Sequence, residues 1–290
     1  MQDPQPGRVE TATVTTADGL ALAAEHHRLP ASRGRVVVVH GYAEHKGRYA
    51  RLVAELAAAG YESHLFDLRG HGDSQGPRGH VASFAEYRDD LERFLAAPPL
   101  AASAATGGPL LLLGHSLGGL IVLDFALHRP AAATALALTS PYLAPAFPLP
   151  AYAGALVTVG SYLLPAITIP TGLKSAWLSH DPQVTRSYDE DPRVFRTVTP
   201  GWMRAVTQAQ SEVFARAGEI LLPVLLQLGG ADPIADPARS RALFARIGSS
   251  DKQLAVYPGY FHEVLNELER APVIADLLAW LDRESGGPGF

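Results

Sequence analysis

A serine between two glycines, Gly114-His115-Ser116-Leu117-Gly118, is the stretch of this sequence best suited to covalent chemistry. A serine hydroxyl is a poor nucleophile unless a base takes its proton and an acid holds that base. The surrounding segment, Pro109 to Pro130, reads PLLLLGHSLGGLIVLDFALHRP. Leu110 to Leu113 form the unbroken apolar run of a strand buried on both faces. From Leu117 the apolar residues recur at helical spacing through Leu120, Ile121, Leu123, Phe125 and Leu127, until Pro130 forbids continuation. A G-x-S-x-G between strand and helix sets the serine on a sharp turn above the sheet. The N–H of Leu117, first in the helix, then lies beside it as an oxyanion donor. A second match, Gly72-Asp73-Ser74-Gln75-Gly76, is followed by Pro77, Arg78 and Gly79, which is loop, so Ser116 is the expected nucleophile.

Where such an elbow occurs, the acid and then the histidine follow the serine in the chain. Three histidines follow Ser116. His128 lies at the far end of the nucleophile's own helix and His180 in an irregular region. His262, in YPGYFHEV, follows a strand and a Pro-Gly turn, and it alone comes after a credible acid. That acid is Asp232 in LQLGGADPIAD, directly after a predicted strand, at the carboxyl end where open α/β sheets place their sites. Asp236 precedes Pro237 and suits a helix cap better. Asp124 is inside the elbow helix, and Asp181, Asp189 and Asp191 are badly placed to orient His262. The second oxyanion donor is expected from the loop after the strand Arg35 to His40: Gly41 lets the backbone turn in and aims the N–H of Tyr42.

The elements that must position these groups follow from periodicity. Val9 to Thr16 and Leu20 to Arg28 read as a hairpin joined at Asp18-Gly19. Strands at Arg35 to His40, Tyr61 to Asp67, Ala133 to Leu138, Val224 to Leu228 and Lys252 to Tyr257 alternate with helices. Those helices are expected at Tyr49 to Ala59, Phe84 to Ala96, Pro237 to Ile247 and Val273 to Asp282, with a loop over Ala97 to Gly108. This alternation predicts an α/β fold with a mostly parallel central sheet covered on both faces. It lapses after the strand at Ala133 to Leu138, which divides the chain into a core of 1–144 and 219–290 and an insertion of 145–218.

Composition bounds the function. A hydrophobic fraction of 47% with 18% charged residues fits one large globular domain and excludes disorder. The net charge of -5 leaves no basic footprint for nucleic acid. With no cysteine, thiol catalysis and cysteine metal sites are excluded. The first residues, MQDPQPGRVE, lack an apolar signal core, so a cytoplasmic location is expected. Oligomeric state is not legible. From Pro130 to Leu173 there is no charged residue, yet prolines leave only 14 proline-free residues from Ala151 to Leu164, short of the roughly 20 that a membrane span needs. The run reads instead as a buried or ligand-facing segment.

Taken together, HGYAEHKGRY (His40 to Tyr49), FDLRGHGDSQGPRGHV (Phe66 to Val81), GHSLGG, GGADPIAD and YFHEVLNE resemble the monoacylglycerol lipase and lysophospholipase branch of the α/β-hydrolases. LSHDPQVTRSYDEDPRV (Leu178 to Val194) is similar to that family's cap. The resemblance implies a serine esterase that cleaves glycerol monoesters of fatty acids, under a cap with a lipophilic tunnel and a small polar pocket. It carries Glu44, Arg48 and Tyr188 over to the polar pocket, although Glu44 and Arg48 are also spaced as a helix-start ion pair. A cap lined by Leu156, Val157, Tyr162, Leu163 and Leu164 would favour medium or long acyl chains and bring peripheral contact with membranes. The chemistry calls for no metal and no cofactor. The alternatives are a lysophospholipase, a general carboxylesterase or an aminopeptidase-like amidase and, in a different class, a non-catalytic binding protein on the same fold.

Overall fold

The computed structural model describes residues 8–104, 108–147 and 153–286. In chain order its elements are β1 (Arg8–Thr15), β2 (Ala21–Arg28), β3 (Gly34–Val39), α1 (Ala50–Ala58), β4 (Tyr61–Phe66), α2 (Ala85–Ala96), α3 (Pro98–Ala104), β5 (Leu110–His115), α4 (Leu117–His128) and β6 (Ala135–Thr139). They continue with α5 (Ala153–Leu163), β7 (Ile169–Pro170), α6 (Pro182–Glu190), β8 (Thr197–Val198), α7 (Pro200–Arg216), β9 (Val224–Gly229), α8 (Pro237–Arg246), β10 (Lys252–Tyr257) and α9 (Ala271–Glu284).

Among the described residues the main sheet has eight strands in the order β1-β2-β4-β3-β5-β6-β9-β10. The Asp18-Gly19 hairpin pairs β1 with β2, and β2 meets β4 antiparallel; every later pairing is parallel. Side chains alternate across the pleat. Val36 and Val38 of β3 join Leu52 and Leu56 of α1 and Trp280 of α9 on one face. Val37 and Val39 join Phe94 of α2, Ile121 of α4 and Val213 of α7 on the other. Strands buried on both faces need no polar side, which explains the runs VVVV and LLLL. Helix α4 is buried from Leu117 through Leu127, as a helix apolar on every side must be.

One expectation is corrected. The stretch Ala97 to Gly108 is not simply a loop: α3 begins at Pro98, and residues 105–107 lie outside the described residues. Proline is well suited to a first helical turn, the alanines have high helix propensity, and Leu100 is 1% exposed, so packing captures a segment that carries little periodicity of its own. Between β6 and β9 the chain leaves the sheet to build α5, α6, α7 and the small β7–β8 ladder. No helix among the described residues is long and apolar enough to cross a membrane.

Candidate active site

Ser116 stands at the β5–α4 junction with φ 52° and ψ -116°, a left-handed backbone on a residue with a Cβ. Such a conformation costs about 1–3 kcal/mol and persists only where its surroundings enforce it. The flanking glycines show how. A Cβ on Gly118 would sit 2.0 Å from the Val39 carbonyl oxygen, and one on Gly114 would sit 2.5 Å from the Gly118 oxygen. Backbone meets backbone at both positions, so only glycine permits the turn. The rival Ser74 is occupied otherwise: its Oγ donates to the Asp67 carbonyl at 2.6 Å and accepts the Ala23 N–H at 2.9 Å, tying a loop to β2.

His262 and Asp232 meet as expected. His262 Nδ1 lies 2.7 Å from Asp232 Oδ2, and both residues are buried. Asp232 follows β9, and its other oxygen accepts the N–H groups of Ile234 at 2.8 Å and Ala235 at 3.0 Å, so the carboxylate cannot swing. Burial would lower the His262 pKa, but the charge and hydrogen bond of Asp232, with Glu263 and Glu44 nearby, outweigh it and hold the imidazole above its ordinary value. Asp236 caps α8 by accepting the Ala238 N–H at 2.9 Å. His128 donates to the Asp124 carbonyl within its own helix, and His180 pairs with Glu267.

The loop after β3 comes up against the nucleophile: a Cβ on Gly41 would lie 3.1 Å from Ser116 Cβ. The Gly41 N–H is taken by the Glu44 carboxylate, which fixes the turn that carries Tyr42, the residue expected from sequence to supply the second oxyanion donor. The Tyr42 ring is wedged against Trp202 and Phe195, at centroid distances of 4.2 and 5.2 Å, and its Oη donates to the Thr197 carbonyl at 2.6 Å. Ala43, at φ 58°, completes the tight turn with a second strained residue.

Ser116 and His262 line one cavity of about 160 Å³. One end is polar. Arg48 Nη2 donates to Glu263 Oε2 at 2.8 Å, Arg48 Nη1 lies 3.5 Å from Glu44 Oε2, and the guanidinium sits 4.8 Å over the Tyr188 ring. Nη1 is buried and makes no hydrogen bond to the described residues. The other walls are apolar: Tyr142, Phe147, Leu173, Val198, Trp202 and Met203. They replace the walls expected from sequence. Tyr162 and Leu163 are 70% and 73% exposed, Leu164 is also exposed, Val157 is absent from the lining, and the Leu156 side chain lies outside the described residues. α5 packs on α7 and turns these apolar side chains outward rather than into the cavity, and a charge-free run cannot tell the two faces apart.

Sequence reasoning also missed His115, Glu263 and Trp202. His115 is buried 4.8 Å from the His262 ring and is held down to about 4, by burial first and then by His262, so it stays neutral. It sits inside the elbow motif itself, and Glu263 directly follows His262, so adjacency was the available signal. Trp202 had none. Asp124, His128 and Glu212 gather three groups of metal-ligand type, but Arg88 and Arg216 pair with them at 3.2 and 2.7 Å, as an ion-pair network does.

Comparison with known proteins fits this geometry. The family model described as serine aminopeptidase, S33, matches residues 30–269. A monoacylglycerol lipase of Mycolicibacterium smegmatis is 35% identical over 250 residues, covering 86% of this chain and 88% of that protein. The phospholipase YtpA of Bacillus subtilis is 26% identical, covering 86% and 95%. The crystal structure of a Paleococcus ferrophilus monoacylglycerol lipase superposes with a TM-score of 0.80 at 31% identity, covering 96% of this chain and 99% of that one. The chain belongs to the serine aminopeptidase S33 family of α/β-hydrolases, in the branch that contains the monoacylglycerol lipases.

Proposed function

We infer that this protein is a serine hydrolase that cleaves monoacylglycerols into fatty acid and glycerol. The observation that carries the reading is the cavity at Ser116, apolar on most walls and polar at Arg48, whose buried Nη1 makes no hydrogen bond to the described residues. A glycerol hydroxyl supplies that acceptor, while each methylene buried against the apolar walls contributes about 0.8 kcal/mol. In the mechanism, Ser116 Oγ attacks the ester carbonyl as His262 Nε2 takes its proton, with Asp232 fixing the tautomer. The N–H groups of Tyr42 and Leu117 stabilise the oxyanion, a single such donor being worth about 3 kcal/mol. His262 then protonates the departing glycerol oxygen. Water, giving its proton to the same imidazole, releases the fatty acid from Ser116 and restores the hydroxyl. Residues 145–218 serve as the cap, between core parts 1–144 and 219–290, and Glu44, Arg48 and Tyr188 form the alcohol pocket.

The test is a hydrolysis series of monoacylglycerols, lysophosphatidylcholine and p-nitrophenyl esters of matched acyl chains. Monoacylglycerols are expected to have a higher kcat/KM than the lysolipid, because a phosphodiester would bring a negative charge to Glu44 and Glu263 against one arginine. Arg48→Lys keeps the charge but loses the guanidinium fork. It is expected to raise KM for monoacylglycerols about tenfold, the worth of one charged hydrogen bond, and to leave p-nitrophenyl esters within about twofold. Faster turnover of the lysolipid would instead favour the lysophospholipase alternative.

Peripheral membrane contact through the cap is the second part of the reading. It is supported by the exposed Val159, Tyr162, Leu163, Leu164 and Ile167, gathered on α5 and the turn after it. Leu163→Ser with Leu164→Ser is expected to lower sedimentation with phosphatidylcholine vesicles severalfold while sparing hydrolysis of a soluble short-chain ester. Equal sedimentation of wild type and variant would remove this part.

A further inference from the structure

Glu267 is a carboxylate with no place in the chemistry above, yet it is only 3% exposed and is met by four donors. Its oxygens accept the Phe261 N–H at 2.7 Å and the His180 N–H at 3.0 Å, face His180 Nδ1 at 3.0 Å, and at 3.3 Å share the one Ser179 hydroxyl proton with the closer Asn266 carbonyl. Buried carboxylates are costly unless paired in this way. Burial pushes the Glu267 pKa up, but the two N–H groups and the His180 ring overcome it and hold it below the ordinary value. It is therefore an anion with fixed partners at neutral pH.

Those partners belong to two different parts of the chain. Phe261 immediately precedes His262. Ser179 and His180 come from the segment that enters α6, directly after Leu178, which lines the cavity. The same segment makes further ties: the Leu178 carbonyl accepts the N–H of Glu263 at 2.8 Å, Ser179 Oγ donates to the Asn266 carbonyl at 2.9 Å, and the His180 ring stacks on Phe261 at 3.8 Å between centroids. The backbone is thus pinned on both sides of His262, at residue 261 by Glu267 and at residue 263 by Leu178.

We propose that Glu267 is a positioning residue for His262, and that through Ser179 and His180 it makes the placement of the imidazole depend on the seating of residues 178–181. The proposal rests on the reading of His262 as the base. Its logic is geometric: Asp232 fixes the ring's rotation and tautomer, but the height of the ring over Ser116 is set by the backbone that carries it, and an error of about 1 Å there costs on the order of 100-fold. The segment 178–181 is then more than a cover, since it supplies part of the hydrogen bonding that makes the site competent.

The experiment measures the rate constant for fluorophosphonate labelling of Ser116, and kcat and KM on a soluble ester, for Glu267→Gln, His180→Ala and the double variant. Glu267→Gln keeps the shape of the side chain but turns an NH2 toward donors. It is expected to slow labelling and kcat at least about tenfold with KM within about twofold, and His180→Ala to slow both about threefold or more. The double variant should be no slower than Glu267→Gln alone, because both act through one linkage. Labelling within twofold of wild type in Glu267→Gln, a loss confined to KM, or effects that multiply in the double variant would each overturn the proposal. If Glu267→Gln does not fold, His180→Ala decides alone, because its side chain is 45% exposed and removable; unchanged labelling then overturns the idea. Wild-type protein that takes no label would instead overturn the reading of Ser116 and His262, and the proposal with it.

Discussion

Ser116→Ala is expected to lower kcat about a million-fold, the scale seen when a triad nucleophile is removed, and to abolish fluorophosphonate labelling. Ser74, which carries the same local motif, has its oxygen committed to Asp67 and Ala23 and offers no substitute. Stability is a separate matter, because alanine inherits the strained φ of 52°. Ser116→Gly removes that strain and is expected to be as inactive as the alanine variant but more stable, by about 1 kcal/mol from the relief of a left-handed Cβ, measured as a higher denaturation midpoint. Labelling of Ser116→Ala at the wild-type rate would show that the nucleophile lies elsewhere, and the binding-protein reading would gain from a wild type that never labels.

The elbow was legible because three separate signals converge on it: a both-faces-buried strand, a helix apolar on every side, and glycines where any Cβ would strike backbone. Asp232 and His262 were legible because chain order eliminates their rivals, and the structure brings them to 2.7 Å. What could not be read from sequence is orientation within an apolar segment. Tyr162 and Leu163 look like cavity walls in a charge-free run, yet face outward, while Trp202 and Met203, in a helix with ordinary polarity, line the cavity. Periodicity reports that a helix has an apolar stripe, not which of two apolar neighbours that stripe meets. Glu267 was hidden for a related reason. A buried carboxylate looks like a surface one until its donors, among them residues 87 and 88 positions away, are seen in place.

Asp232→Asn is expected to cost about 10⁴-fold in kcat, the magnitude that follows when a triad histidine is forced into the wrong tautomer. The surroundings of this particular carboxylate make the outcome directional. One oxygen is held by the N–H groups of Ile234 and Ala235, so an asparagine must keep its carbonyl there and turn its NH2 toward His262 Nδ1. A donor facing Nδ1 requires a lone pair on that nitrogen, which moves the imidazole proton to Nε2, the atom that has to accept from Ser116. The pH profile separates this from general damage. The Asp232 charge opposes burial in setting the His262 pKa, and the balance at present lies above the ordinary value. Because the base must be neutral to act, activity rises with pH through that pKa. Without the charge, burial acts with less opposition and the pKa falls, so the acid limb of the residual kcat/KM profile moves to lower pH even as its plateau drops. An acid limb that stayed in place, or moved up, would mean that Asp232 does not set the charge state of His262, and an activity loss of less than about tenfold would mean that the tautomer is fixed by some other group.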